Sequence, residues 1–213
     1  MKRDRVFRIG GVVSGIVLIA FGVVTIVLAI WGQHTVTTEL KRQKITGTPD
    51  MTPSAIKSEA QRAGLTNIAL PTCNVANKPI NDGSRARCFA QYMNVHALEA
   101  TGGFVYSEMG QYEAKPGTPK DKLAPGGGTN DPASAVVDPK THGPASNGAR
   151  NVWVTQTALA TALNVSYMAS ALSLFSLIVG IALLLTAIGF IVLALGLSRS
   201  ASEEGVAAPV PAQ

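Results

Sequence analysis

The residues best suited to chemistry are His96 and Glu99, which stand three positions apart on a predicted helix. Side chains at positions i and i+3 of a helix are neighbours, so the pair could supply two ligands to a metal ion. A catalytic ferrous centre of the facial-triad type needs two histidines and one carboxylate. The other histidines, His34 and His142, are not convincing second ligands. His96 and Glu99 are therefore weak metal candidates, with a packed or capping histidine as the alternative.

Cys73 and Cys88 are the two cysteines of the chain. A bond between them would close a loop of about 16 residues and stabilise the fold by roughly 3 kcal/mol. Their spacing is much wider than the C-x-x-C spacing of redox and zinc pairs. The sequence thus predicts a disulfide, with free or metal-binding thiols as the alternative. No base can be paired with a Ser or Cys nucleophile, so we predict no catalytic residue, no cofactor and no enzyme.

Two uncharged blocks decide the class of protein that must hold these residues. The first, residues 9–31, spans roughly 35 Å as a helix, which is enough for a hydrocarbon core of about 30 Å. The second runs over residues 169–197, with the crossing itself predicted at 174–197. A signal peptide is the alternative for the first block, but its apolar region is limited to about 7–15 residues before an A-x-A-like cleavage site. We predict two transmembrane helices.

The flanking charges predict the orientation of these helices. Residues 1–8 form a basic tail, and Arg199 follows the second crossing. Basic residues close to membrane ends stay in the cytoplasm. Both termini are therefore expected inside a bacterial cell membrane, with residues 32 to about 173 outside. The C-terminal tail, residues 198–213, is predicted to be disordered.

Small residues fall on one stripe of each predicted crossing. They are Gly11, Gly15, Gly22, Thr25 and Ala29 in the first helix, and Ser173, Gly180, Ala187 and Ala194 in the second. Small residues let helix backbones approach closely in lipid. We predict a helix-packing seam, either between the two crossings or with another subunit. Neither crossing contains Asp, Glu, Lys, Arg or His, which disfavours ion transport.

The segment between the crossings predicts a small helical module at 32–114. Thr52 resembles an N-cap, Pro53 a first helical residue and Gly64 a C′ residue. A second helix is predicted over 86–101, where Phe89, Met93, His96, Ala97 and Ala100 share a face. Residues 115–150 hold six Pro and six Gly, and no aromatic residue, which predicts a flexible loop. Residues 151–173 are predicted to form a helix leading into the membrane. The fold class expected is an all-α membrane protein.

Two stretches resemble a family of small two-span membrane proteins of actinobacteria. His96, Ala97, Leu98, Glu99, Ala100, Thr101, Gly102 and Gly103 resemble its HAL-x-ATGG segment, and residues 106–109 its YAEL-like continuation. Residues 164–172 are similar to its entry to the second crossing. Such proteins are commonly labelled aromatic ring-opening dioxygenases of the small-subunit type. The resemblance implies a bacterial membrane protein, whereas residues 52–70, the cysteines and residues 115–150 depart from the pattern.

Our leading hypothesis is a non-enzymatic two-span protein that acts by association. It would form a homo-oligomer, or serve as a small subunit or scaffold of a cell-envelope complex. A metal-dependent ring-opening dioxygenase and a ligand-binding sensor are the alternatives. The expected partners are the lipid bilayer and other membrane proteins. Nucleic acid is not expected, because the chain has no basic patch interleaved with aromatic residues.

Overall fold

The computed structural model describes residues 2–206, with the side chains of residues 5–196. The α-helices in this range are α1 (Lys2–Gln43), α2 (Pro53–Arg62), α3 (Gly83–Ala100) and α4 (Gly148–Val206). Single 3-10 turns lie at Tyr106–Glu108, Lys120–Lys122 and Pro132–Ser134. The described residues form isolated β-bridges but no longer strand. The predicted all-α fold class is therefore confirmed.

The chain divides into two compact units. One unit, which we call the hairpin, combines Met1–Thr35 with Ser170–Gln213, of which residues 2–35 and 170–206 are described. The other, which we call the module, comprises Val36–Ala169. The module contains α2 and α3 together with the end of α1 and the start of α4.

Helices α1 and α4 are long and apolar enough to cross a membrane. The candidate spans lie within Arg5–Gln43 and Gly148–Gly196, and only 17% of the most apolar window in each is buried. The core helix of a soluble protein would be mostly buried, whereas here large apolar side chains such as Phe21 and Phe175 are exposed. The predicted crossings at 9–31 and 174–197 fall inside these helices.

Both helices continue beyond the predicted crossings. Helix α1 runs on to Gln43, and Lys44 then takes a left-handed backbone conformation with φ +52°. Helix α4 joins the predicted helix at 151–173 and the predicted crossing in one element. It is described as far as Val206, so it includes the first part of the tail predicted to be disordered. Met1 and residues 207–213 lie outside the described residues.

A compact apolar core fills the part of the module around α2 and α3. Its fully buried side chains include Met51, Ile56, Val75, Ile80, Tyr92 and Val95. Val36 and Leu40 from the end of α1, and Leu163 from α4, complete the same cluster. The two short helices are therefore stabilised mainly by tertiary packing of their apolar faces, as expected for helices of this length.

The local signals for α2 are confirmed, whereas those for α3 are only partly right. Thr52 caps α2 by accepting a hydrogen bond from Ala55 N at 3.2 Å, and Gly64 has φ +69° after its end. Helix α3 begins three residues earlier than predicted, because Asp82 caps it by accepting from Arg85 N at 2.8 Å. Its buried face is centred on Tyr92 and Val95, and Ala100 is exposed.

The prediction that residues 115–150 form a flexible loop is wrong. Tyr112 and Thr129 exchange two backbone hydrogen bonds of 2.9 Å, and Val136 donates to Glu113 and accepts from Ala145 at 2.8 Å. The Thr129 side chain is fully buried and donates to Lys122 O at 2.8 Å. The prediction assumed that only apolar burial could order such a segment. Paired backbone groups and short polar side chains order it instead.

Candidate metal centre

His96 lies beside two carboxylates, those of Asp50 and Glu59, which are distant from it in the sequence. Its Nε2 atom is 3.0 Å from Oδ2 of Asp50 and 3.7 Å from Oε2 of Glu59. One possible ligand atom from each of the three residues lies within 4.8 Å of the other two. Among the side chains that the structure describes, residues 5–196, this is the one group of its kind, and we call it the acid–histidine cluster.

Each member of the cluster comes from a different element of the module. Asp50 stands in the turn before α2, which is closed by the hydrogen bond from Met51 N to Thr48 O at 3.1 Å. Glu59 is on α2 and His96 is on α3. Met51 and Ile56, next to these positions, are fully buried, so the turn and α2 are held by the core. Packing, and no local motif, therefore brings the three side chains together.

Electrostatics keep the Asp50 carboxylate ionised. Burial by itself raises the pKa of Asp50, but hydrogen bonds from the Thr48 side chain and from its own backbone amide, together with nearby His96, outweigh burial and lower this pKa. The charge of Asp50 acts on Tyr92, whose pKa is raised by burial first and by that charge second. Tyr92 donates its hydroxyl to Cys73 O at 2.7 Å. Tyr92 is thus a neutral structural donor at ordinary pH.

The Nε2 atom of His96 is buried and has no hydrogen-bond partner among the described residues. Its contacts with Asp50 and Glu59 meet the distance of an ion pair only. Buried polar atoms of folded proteins are nearly always satisfied, so an exception needs a physical explanation. A cation between the three residues, or a proton on the imidazole, would supply one.

An open cavity of about 430 Å³ adjoins His96. Its walls come from α3 and from the first turns of α4: Met93, His96, Ala97, Gly148, Asn151, Val152, Thr155 and Gln156. The wall is mostly apolar, with the amides of Asn151 and Gln156 and the hydroxyl of Thr155 as polar groups. A cavity of this size and character can take a small molecule.

The sequence pair of His96 and Glu99 does not form a site. Glu99 is exposed on α3 and does not belong to the cluster. The histidines at 34 and 142 do not belong to it either. The cluster therefore offers one imidazole and two carboxylates, whereas the facial triad of non-haem iron oxygenases has two imidazoles and one carboxylate. These residues do not fit the iron site that a ring-opening label implies.

Most of the motif at 96–103 builds the end of α3. Ala97 and Leu98 are buried against Met109 and Trp153. The Thr101 hydroxyl lies 2.7 Å from Phe104 O and accepts from Trp153 Nε1 at 3.2 Å. Gly102 and Gly103 have φ +63° and +86° and end the helix, and Ala100 is exposed. Only His96 reaches the cluster.

The predicted disulfide is confirmed. Cys73 and Cys88 are bonded, with their Cα atoms 6.1 Å apart. The bond joins α3 to the segment between α2 and α3, next to the hydrogen bond from the Tyr92 hydroxyl to Cys73 O. The disulfide therefore anchors α3, which carries His96, to the segment that follows α2.

The small residues of α1 and α4 face each other inside the hairpin. A Cβ atom at Gly22 would lie 3.0 Å from Gly180 O, and one at Gly11 would lie 2.8 Å from the Ala194 side chain. Gly15 faces Ala187 and Ile191, Gly32 faces Ser173, and Ala29, Ala187 and Ala194 are buried. Thr25 donates to Phe21 O along its own helix. The seam is thus occupied within one chain.

Comparison with known proteins returns no match among family models, curated proteins or solved structures. The resemblance to the actinobacterial two-span family therefore stays a prediction. The function has to be argued from the chain itself.

Proposed function

We propose that this chain is a two-span protein of a bacterial cell membrane that acts by association with further copies of itself, and not by catalysis. In this proposal the termini are cytoplasmic and residues 32 to about 173 lie outside. Two apolar helices of sufficient length support the membrane location. The disulfide between Cys73 and Cys88 supports an outside location for the module, because disulfides persist in oxidising compartments.

The observation that carries association is an exposed apolar face on α4 within the module. Val154, Val165 and Met168 are 53%, 57% and 67% exposed, respectively. With Ala158 and Thr161, which are also exposed, they fall on one side of the helix. We call these five residues the α4 stripe. The opposite side of the helix, at Gln156 and Leu163, is buried.

The pattern of the α4 stripe favours a second copy of this chain as the occupant. The steps between its members alternate between four and three residues, which is the spacing of a and d positions in a coiled coil. No charged residue occurs between Arg150 and Arg199, so two copies can approach here without like-charge repulsion. The glycine seam is already occupied within the chain, which leaves this face for contact between chains.

The test is the oligomeric state of the full-length protein in lipid nanodiscs or mild detergent. Chemical cross-linking and native mass measurement should give a dimer. Glutamate substitution of both Val154 and Val165 should weaken dimerisation at least tenfold, because each of the two copies would bury two charges at the contact. Asn164→Glu is the matched control, since Asn164 is exposed on α4 but outside the stripe.

A strictly monomeric wild-type protein would contradict self-association. If a different membrane protein co-purifies in place of a second copy, the occupant is a hetero-partner and the proposal of a homo-oligomer is wrong. If the wild type captures that other protein and the Val154 and Val165 variants do not, the α4 stripe is the contact surface for an envelope complex.

Topology is tested separately. A reporter that is active only in the cytoplasm should be active when fused to either terminus. Thiol reagents added outside should label Cys73 and Cys88 only after reduction. An external terminus, or cysteines that an external reagent does not label even after reduction, would contradict the proposed orientation.

A further inference from the structure

We infer that the acid–histidine cluster, made of Asp50, Glu59 and His96, binds one divalent transition-metal ion such as Zn²⁺. Neither the resemblance nor the proposed association assigns such a site, and the inference does not depend on either of them. One possible ligand atom of each residue lies within 4.8 Å of those of the other two. The Nε2 atom of His96 is 3.0 Å from Oδ2 of Asp50 and 3.7 Å from Oε2 of Glu59.

The distances in the cluster match those between ligands around one ion. Zinc bonds to imidazole nitrogen and carboxylate oxygen are about 2.0–2.2 Å long, so two ligands in a tetrahedral site lie roughly 3.4 Å apart. The two distances from His96 Nε2, 3.0 and 3.7 Å, lie on either side of this value. An ion could thus be accommodated with small side-chain rotations.

The histidine distinguishes this group from an ordinary acidic patch. Its Nε2 atom is fully buried, faces two carboxylate oxygens and has no hydrogen-bond partner among the described side chains and backbone. Without a proton or a cation on Nε2, the lone pair of that atom would be repelled by both oxygens. A bound cation removes that repulsion and satisfies the buried atom at the same time.

The charge balance of the cluster also suits a divalent cation. Asp50 and Glu59 supply two carboxylates, whose combined charge when ionised equals that of one divalent cation. The nearest cation to Glu59 is the Arg62 guanidinium at 4.0 Å, and its side chain is 75% exposed. Solvent screens such a pair, so most of the negative charge in the cluster is left for a bound ion.

The donor set indicates which class of ion would bind. Imidazole nitrogen together with carboxylate oxygen suits zinc and similar first-row transition metals, whereas calcium and magnesium prefer oxygen ligands alone. Three protein ligands leave at least one coordination position for water or a small ligand. The cavity of about 430 Å³ that His96 lines gives such a molecule a place close to the site.

The experiment uses the full-length protein, purified without a histidine tag, in mild detergent after treatment with a chelator and dialysis. Titration calorimetry with Zn²⁺ should give one ion per chain, and Ca²⁺ should not compete. His96→Gln and Glu59→Gln should each lower the zinc affinity by roughly 100-fold, and Asp50→Asn by at least tenfold, because each loses one ligand. Glu99→Gln is the control, since Glu99 is exposed on the same helix.

Cobalt substitution gives a second readout that does not depend on affinity. Bound Co²⁺ should show visible absorption typical of low coordination number in the wild type, and Zn²⁺ should displace it. If the wild type binds no metal, or if His96→Gln and Glu59→Gln bind zinc as tightly as the wild type, the inference is wrong. A folded Asp50→Asn variant, checked by circular dichroism, keeps the test valid if the other two variants unfold.

Discussion

The hairpin and the module are packed by different kinds of residues. In the hairpin, Gly22 faces Gly180 and Ala187 is fully buried, while large apolar residues such as Phe21 and Phe175 are exposed. In the module, large side chains such as Ile56 and Tyr92 are fully buried and a disulfide joins two segments. In the proposed membrane location of the hairpin, lipid offers no hydrophobic drive between helices, so close backbone contact has to replace it. Water does offer that drive, and a small domain adds a disulfide because its core is thin.

A second contrast lies within the module. The residues around α2 and α3 are held by apolar burial, whereas residues 115–150 are held by paired backbone groups and by short side chains such as Thr129 and Asn147. The module thus combines two means of ordering a chain. The predictions below perturb each means separately.

The largest effect is expected from removing the disulfide. Replacing both Cys73 and Cys88 by alanine should cost the module about 3 kcal/mol of unfolding free energy, because the unfolded chain regains the freedom of a loop of about 16 residues. Urea unfolding followed by Trp153 fluorescence in a Trp31→Phe background measures this, since Trp153 is buried in the module.

The same double substitution should leave the pairing of the hairpin helices unchanged. The SDS concentration at which their circular dichroism signal is lost should be the same as in the wild type. Equal unfolding free energies for the variant and the wild type would mean that the module does not depend on the disulfide.

The next effect is expected in the hairpin alone. Gly180→Leu should destabilise helix pairing by roughly 1–3 kcal/mol, because overpacking forces the backbones apart. A Cβ at Gly180 would already lie 2.9 Å from Gly22 O. SDS titration of the protein in micelles, followed by circular dichroism, measures the loss.

Gly189→Leu is the matched control, because a Cβ there meets nothing within 4 Å. If both leucine variants behave alike, the seam between α1 and α4 is not what pairs the helices.

A smaller effect is expected from substituting Asn147, and it should be confined to one half of the module. Asn147 donates to Gly110 O at 2.9 Å and accepts from Ala149 N at 3.1 Å at the start of α4. Asn147→Ala should cost about 1–2 kcal/mol, since buried partners are left unpaired. Hydrogen exchange should accelerate within 110–147 while α2 and α3 stay protected.

Gln111→Ala is the control for that exchange experiment, because the Gln111 side chain is exposed. Uniform acceleration over the whole module would show that its two halves unfold as one unit.

The smallest expected effect is on the pKa of Asp131 and, through it, on stability at low pH. The hydrogen bond from Lys122, followed by those from Ser134 and the Ala133 amide, lowers the pKa of Asp131 from 3.8 to about 2. A depressed pKa stabilises the folded state above pH 3.8, and this contribution is lost as the pH falls towards about 2. Carboxyl NMR titration should show the low pKa in the wild type and a higher one in Lys122→Gln. Lys120→Gln should titrate as the wild type, and an unchanged pKa in Lys122→Gln would contradict the pairing.

The acid–histidine cluster shows why sequence reasoning finds only part of a site. His96 stands out because histidine is rare in this chain, and its spacing to Glu99 follows helix geometry. Its actual neighbours are Asp50 and Glu59, which lie far back along the chain. The sequence signal near them is the capping pattern at Thr52 and Pro53, which fixes the start of α2 but does not show what faces Asp50 or Glu59.

The two apolar helices, the capping of α2 and the cysteine pair were all predictable from the sequence, because each depends on local composition, local spacing or the simple count of thiols. Tertiary structure alone decided three other matters: that the seam closes within the chain, that residues 115–150 are ordered, and that His96 faces Asp50 and Glu59. These depend on contacts between residues distant in sequence. Such contacts depend on how whole elements pack together, and local residue spacing does not predict them.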